Sequence, residues 1–229
     1  FFDDIIICFD GDESGYKAAL RAAENSIREL KPEKQISFLF LSDDEDPDSF
    51  VNKNGKEYFL KFVKEVWPDF IEGKHHKIYA EKLNRIANGE LKRLIVNMPP
   101  RHTKSEFASH LFPAFFMGRH PKAKLIQTTH TGELAIRFGR KAKNLIESEE
   151  YNAVFPDVTL AADSKAAGRW ESNHKGEYFA AGVGGAITGR GADLLIIDDP
   201  HSEQDALSPT ALDSAYEWFT SGPRQRLQP

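Results

Sequence analysis

Lys104 and Ser105 stand where an apolar run gives way to a helical pattern, in the stretch RLIVNMPPRHTKSE at 93–106. A lysine at a helix entrance can reach the β/γ-phosphates of a nucleotide, and the hydroxyl after it can hold Mg²⁺. The helix N-terminus adds free N–H groups and the positive end of its dipole. Leu94-Ile95-Val96 is short enough for a buried strand. Pro99 and Pro100 end that strand, because proline cannot donate to a ladder. Pro100, Arg101, His102, Thr103, Lys104 and Ser105 then form the loop, and a helix runs on through Phe107, Leu111 and Phe115. The common phosphate-loop pattern is G-x-x-x-x-G-K-[ST]. Here Met98 stands at the first glycine position and Thr103 at the second. Taken alone, the stretch reads equally as a strand-to-helix turn with a solvated lysine.

A second stretch, DLLIIDDP at 193–200, sharpens the reading. Leu194–Ile197 reads as a buried strand that ends in Asp198 and Asp199. A strand ending in aspartate beside a phosphate loop is how P-loop enzymes hold Mg²⁺. The plainer alternative is a turn, which Asp-Pro favours.

Residues from about 58 to 229 resemble the ATPase domain of a tailed-phage terminase large subunit. The motifs that carry the likeness are NMPPRHTKSE at 97–106, GGAITGRGADLLIIDDP at 184–200 and YEWFTSGPRQRLQP at 216–229. The resemblance implies ATP and Mg²⁺ as cofactors and hydrolysis by in-line attack of water. Lys104 would neutralise the β/γ-phosphates, Ser105 and Asp198 would hold Mg²⁺, and Asp199 would orient the water. Arg101 suits a family whose phosphate loop commonly carries an arginine. The motors usually have glutamate where Asp199 stands. Five glycines fall within 182–191, and Arg190 among them is expected as a sensor of phosphate charge, or else as part of a hairpin glycine cluster. By resemblance the partners are double-stranded DNA, a portal and a small terminase subunit. The full-length protein would work as a ring homo-oligomer in the cytoplasm of an infected bacterial host. In terminases a strand with a coupling residue and then a nuclease domain follow. This chain reads as truncated before both, so nuclease activity is not expected.

The opening segment carries different chemistry. Asp4–Phe9 reads as a buried strand ending in Asp10-Gly11-Asp12, and a helix follows from about Ser14 to Leu30. Ile36–Leu41 reads as a second strand that runs into an acidic loop with Asp46-Pro47-Asp48. Strand–helix–strand in this order predicts a parallel pair with both acidic clusters at the carboxyl edge. Four carboxylates there repel each other unless a divalent cation sits among them, and oxygen-only ligands suit Mg²⁺. Otherwise they are two polar strand exits. The segment resembles the metal-binding (TOPRIM) domain of bacterial-type DNA primase through CFDGDESGYKAALRA at 8–22 and DDEDPDSFVNKNGKE at 43–57. By that resemblance Asp10, Asp12, Asp46 and Asp48 are the metal carboxylates. The family also needs a glutamate on an earlier strand, which this chain lacks, so primer synthesis is not expected.

These elements make an α/β protein with a mostly parallel sheet. A partial TOPRIM-like segment, 1–57, leads a P-loop NTPase core over 58–229, with the junction near 55–59. Phe59, Phe62, Val63, Val66 and Trp67 form a helical apolar face. His75-His76 precede a helix over 77–88, near the adenine pocket by resemblance or simply as a polar helix start. Lys124–Thr129 reads as a strand and Gly132–Ser148 as a helix. Its Arg137, Arg140, Lys141 and Lys143 face DNA or form a solvated surface. Ser208 caps a last helix with Pro209 at its first position and Leu212, Ala215, Tyr216 and Phe219 on one side.

The charge is uneven. Residues 1–57 hold 7 Lys+Arg against 14 Asp+Glu, and the rest hold 23 against 21, giving −7 and +2 for a total of −5. Any DNA contact must therefore come from a local patch. The lone Cys8 permits no internal disulfide and suits a reducing compartment. No apolar run approaches a membrane span, and no signal peptide is visible. The chain opens on Phe1 and reads as a fragment. Two alternatives to the packaging motor stand beside it: a DNA primase fragment, and a module that binds nucleotide without turnover.

Overall fold

The computed structural model describes residues 4–9, 12–27, 35–40, 58–164, 166–187 and 189–227. The chain divides into two compact units, Phe1–Tyr58 and Phe59–Pro229.

In the first unit, β1 (Asp4–Phe9), α1 (Glu13–Ile27) and β2 (Gln35–Phe40) follow one another. β1 and β2 pair in parallel, with Asp4 opposite Gln35 and Phe9 opposite Phe40. The expected strand–helix–strand pair is present. Asp12 starts α1 as an N-cap does: its carboxylate accepts from the Gly15 N–H at 2.7 Å and from the Ser14 hydroxyl at 2.8 Å. Those bonds, Gly15 first, hold its carboxyl below the usual range. Asp10, Asp46 and Asp48, expected as metal carboxylates with Asp12, lie outside the described residues.

The second unit is built on a four-stranded sheet in the order β4 (Arg169–Glu171), β5 (Glu177–Gly182), β3 (Lys124–Thr129), β6 (Leu194–Ile197). β3 runs parallel to both neighbours, and β4 pairs antiparallel with β5 at one edge. The sheet is mostly parallel, as the sequence predicts. β3 is buried from Leu125 to Thr129, the continuous burial of a strand covered on both faces.

Helices α2 (Tyr58–Val66) and α3 (Lys74–Ala87) come first. A π-helical turn (Glu106–Leu111) then runs directly into α4 (Phe112–Arg119). α5 (Gly132–Ile146) and α6 (Glu149–Val154) follow, and α7 (Pro209–Ser221) comes last. α5 starts where the Thr131 hydroxyl accepts from the Leu134 N–H. It lies close on the sheet because Gly139 has no side chain; a Cβ there would fall 2.8 Å from the ring of Tyr178 on β5. Ser208 and Pro209 open α7 as expected.

Three expectations need correction. Residues 91–99 join no strand ladder among the described residues, and Ile95 is 87% exposed. A strand forms where its N–H and C=O groups find a ladder, and the sheet offers Leu94–Val96 none. α3 begins at Lys74, so His75 and His76 lie in its first turn, not before it. On α7 only Ala215 is buried, and Tyr216 is 66% exposed.

The core beside the sheet is aromatic. Phe59 of α2 packs on Phe107, Phe112 and Phe115 at ring-centroid distances of 5.5, 5.6 and 5.1 Å, mostly edge to face. Edge-to-face packing is the favoured geometry for such rings. Phe59→Ala removes the hub. It should cost about 3–5 kcal/mol, read as a fall in the urea midpoint with an unchanged m-value. A loss below about 1 kcal/mol would mean that the cluster does not carry this layer.

Candidate functional site

β3 and β6 are parallel, so Thr129 and Asp198 leave the sheet at the same carboxyl edge. The Asp198 N–H still bonds back to the Thr128 carbonyl at 2.9 Å. Asp199 then turns with φ +43°, in the left-handed region, and its carbonyl accepts from the His130 N–H at 3.2 Å. A left-handed non-glycine residue is uncommon and stores strain. This turn sends the two carboxylates apart: Asp198 is 6% exposed, whereas Asp199 is open to solvent. Lys104 meets both. Its ammonium donates to Asp199 Oδ1 and lies 3.8 Å from Asp198 Oδ1. Residues 94 and 95 positions apart in the chain thus converge on one point.

The second oxygen of Asp198 is held from below. The Ser109 hydroxyl donates to Oδ2 at 2.8 Å, and Gln127 Nε2 donates to the Ser109 oxygen at 3.0 Å. Both side chains are fully buried. The sequence reading puts Ser105 beside Asp198, but the hydroxyl seen on that carboxylate belongs to Ser109. Two signals could have pointed there. Ser105 and Ser109 are four residues apart, so they share a helix face. Gln127 is a polar residue in the otherwise buried strand KLIQTT, and a buried amide needs a partner. The π-helical turn that carries Ser109 is a form often found at functional sites.

The loop before Lys104 is strained and braced. Arg101 and Thr103 both have φ +63°. Thr103 stands at the second glycine position of the phosphate-loop pattern, and it adopts the glycine-like backbone despite a β-branched side chain. Its hydroxyl donates to the His102 carbonyl at 2.6 Å and takes a bond from His76 Nε2 at 2.7 Å. His76 Nδ1 accepts from the Gly73 N–H at 2.8 Å, so the ring proton sits on Nε2 and is donated to Thr103. Burial, and then the neighbouring His75, push the His76 pKa down and favour this neutral tautomer. Phe107 stacks on the ring at 5.3 Å. His102 Nδ1 closes the loop by donating to the Pro100 carbonyl at 2.9 Å. The sequence singled out His76 but not this role.

Glu106, two residues after Lys104, ties the π-helical turn to α5. It accepts from His110 Nδ1 at 2.5 Å and from Lys141 Nζ at 2.8 Å. Burial alone would raise its carboxyl, but these bonds outweigh burial and bring it down to about 2. Lys141 is therefore engaged inside the unit. Arg137 and Arg140 instead line a cleft of about 400 Å³ beside Thr131 and Glu133.

Arg190, expected as a phosphate sensor, is not brought to this edge. β5 and β6 are both parallel to β3, so the chain between them must cross back to the amino edge. Arg190 lies at the end of that crossing, 3.6 Å from Glu177 and above the Phe179 ring.

The groups at Lys104, Asp198 and Asp199 fit Mg²⁺ and a polyphosphate. Their metal donors are oxygens only, and Mg²⁺ keeps several waters and needs one or two carboxylates. Among the described residues no three His, Cys, Asp or Glu side chains gather to hold a metal by themselves.

No protein-family profile matches the chain. Part of it is similar to bacterial DNA primases. A DNA primase of Rickettsia typhi is 38% identical over 93 residues, which cover 38% of this chain and 16% of that protein. One from Neisseria meningitidis is 51% identical over 57 residues, 25% of this chain and 10% of the relative. One from Pasteurella multocida is 43% identical over 64 residues, 28% of this chain and 11% of the relative. The chain spans between 10% and 16% of the length of these relatives. They support the primase resemblance of a part of the chain. Among the described residues no helix is long and apolar enough to cross a membrane.

The Glu106 cluster makes a pH prediction. The carboxyl has a depressed folded value, about 2 against 4.5 unfolded. Its contribution to stability is therefore fully present above pH 4.5 and is lost as pH falls towards 2. Glu106→Gln should be less stable than wild type at neutral pH, and its stability should fall less between pH 5 and pH 2. Parallel stability-against-pH curves for the two proteins would remove Glu106 from the ledger of acid-sensitive groups.

Proposed function

We propose that the chain joins a segment of DNA primase type to a unit that binds and hydrolyses Mg–ATP. The primase part draws its support from the relatives, and it is the reading that they favour for the portion of the chain they match. The ATP part draws its support from one observation: the ammonium of Lys104, at the entrance of a helix, is held between two carboxylates at the end of a neighbouring parallel strand.

Each residue then has a task that its surroundings suit. Lys104 neutralises the β/γ-phosphates, with Arg101 as a second, exposed cation. The strained loop from Pro100 to Thr103 would offer the backbone N–H groups of Arg101, His102 and Thr103 to phosphate oxygens, as phosphate-binding loops do. Asp198 and the Ser105 hydroxyl would hold Mg²⁺, which neutralises developing charge on the phosphate oxygens when bound. Ser109 and Gln127 keep the Asp198 carboxylate in one orientation. Asp199, open to solvent, orients the attacking water and accepts its proton.

The finer reading is ATP-driven translocation of double-stranded DNA into a procapsid by a ring of subunits. A portal and a small terminase subunit would be the partners, in the cytoplasm of an infected bacterium. It rests on the three sequence motifs and on this geometry. In the first unit, Asp12 with Asp10, Asp46 and Asp48 would bind Mg²⁺ or Mn²⁺ weakly.

Two mutants separate the roles. Lys104→Ala should abolish Mg–ATP binding in calorimetry, and an unchanged affinity would take Lys104 out of the site. Asp199→Asn should still bind ATP, while single-turnover hydrolysis falls by roughly 10²–10⁴-fold. Wild-type rates in that mutant would leave Asp199 as no more than the turn before Pro200. Binding without turnover in wild type would reduce the unit to a nucleotide-binding module.

A further inference from the structure

Thr103 stands immediately before Lys104, so a shift of its backbone moves the ammonium relative to Asp198 and Asp199. Its φ of +63° is one that a β-branched residue keeps only where its surroundings over-determine it. Two contacts do so. Its carbonyl accepts from the Phe107 N–H at 2.9 Å, a bond that any residue could make. Its hydroxyl is the specific handle. The proton goes to the His102 carbonyl at 2.6 Å, and the oxygen accepts from His76 Nε2 at 2.7 Å. A glycine would need no handle here, but it could not be gripped from outside the loop either.

His76 is placed to grip it. The side chain leaves α3, is 6% exposed and packs against Phe107 at 5.3 Å and Phe70 at 4.7 Å. Both ring nitrogens are in use. Nδ1 accepts from the Gly73 N–H at 2.8 Å, which leaves the ring proton on Nε2 for Thr103. The pair joins residues 27 positions apart and ties the start of α3 to the loop.

This arrangement works in one protonation state. A proton added at Nδ1 would meet the Gly73 N–H, donor against donor. Burial would also penalise the new charge. The groups around the ring offer it little relief. His75, with its ring 3.8 Å away on α3, and His102 on the loop are themselves potential cations. Glu72, the carboxylate before α3, is already held by Lys64 of α2 at 2.6 Å and by Lys77 of α3 at 2.9 Å.

We propose that His76 is the positioning residue of the phosphate loop and serves only in its neutral form, so that acid frees Thr103 and loosens the hold of Lys104 on nucleotide. The inference rests on the reading that this loop binds a nucleotide. The grip is whole above about pH 6.5, the ordinary histidine value, and is lost as pH falls below it.

A double-mutant cycle tests the grip, with ATP affinity measured by calorimetry on the full chain at pH 7.5. His76→Phe keeps a ring on Phe107 but loses both hydrogen bonds, and should weaken ATP binding by about 2–10-fold, the worth of one hydrogen bond. In a Thr103→Gly background the same change should have no effect, because the glycine has no hydroxyl to hold. An equal loss in both backgrounds would overturn the proposal, as would no loss in either. The acid release is read from His76→Gln, which keeps a donor for Thr103 and cannot take the charge. The ratio of wild-type to His76→Gln affinity should fall between pH 7.5 and 5.5. Protonation of ATP, His75 and His102 is common to both proteins and leaves that ratio alone, so a constant ratio would refute the acid release. If His76→Phe does not fold, His76→Gln in the two Thr103 backgrounds replaces it: a pH-dependent ratio with Thr103 that persists with glycine would overturn the grip. Two measurements on the protein without nucleotide separate this inference from the ATP reading. Nitrogen NMR near neutral pH should show the His76 proton on Nε2, and a proton on Nδ1 would refute the arrangement. Amide exchange at Phe107 should quicken in His76→Phe and not in the Thr103→Gly background; unchanged exchange in both would overturn the grip. If wild type binds no ATP, the hydrolase reading fails while these two measurements still decide whether His76 positions the loop.

Discussion

A carboxylate taken out of water must be given partners, or the fold loses several kcal/mol. Asp198 is that carboxylate, and its partners come from three different elements. β3 supplies the Thr128 carbonyl that fixes its backbone. The π-helical turn supplies the Ser109 hydroxyl, itself held by Gln127 of β3. The loop before that turn supplies the ammonium of Lys104. Displacing any one of the three leaves a buried polar group short of a partner, so strand, helix and loop are locked to one another through a single side chain. The same three-way constraint is what a reacting site needs, because it fixes the lysine relative to the carboxylates without help from a ligand.

The loop shows how a glycine conformation can be kept without glycine. Thr103 pays steric strain that a glycine would not, and it recovers support from its hydroxyl, which bridges His102 and His76. His76 can serve only while its ring is neutral and seated against Phe107. The brace thus depends on the aromatic core that α2 and α4 build around Phe59. Core packing, loop strain and the position of Lys104 form one chain of cause.

Parallel strands also give the sheet two chemically different edges. The carboxyl edge gathers Asp198, Asp199 and the helix entrance. The amino edge, to which the crossing from β5 to β6 returns, mixes both signs: Lys124 and Arg190 lie near Glu177, and Asp193 accepts from the Lys124 N–H. Parallel topology alone accounts for why Arg190, close in sequence to Asp198, ends a strand's length away from it.

The sequence by itself determined the local elements that depend on local chemistry. The apolar runs at Asp4–Phe9, Lys124–Thr129 and Leu194–Ile197 became strands because their residues are β-formers bounded by breakers. Ser208-Pro209 became a helix start because hydroxyl and ring satisfy the first turn directly. Lys104, Asp198 and Asp199 were legible as a group because strand exits and helix entrances advertise charge. What only the tertiary structure decided was everything that needed a neighbour. Leu94–Val96 has the composition of a strand, but a ladder requires a second backbone, and among the described residues none pairs with it. Ser105 and Ser109 are equal in sequence, and only the π-helical turn chose which hydroxyl meets Asp198. The place of Arg190 followed from the direction of strands on either side of it. Hydrogen bonds to a distant partner leave no mark in local composition, so these assignments could come only from the folded chain.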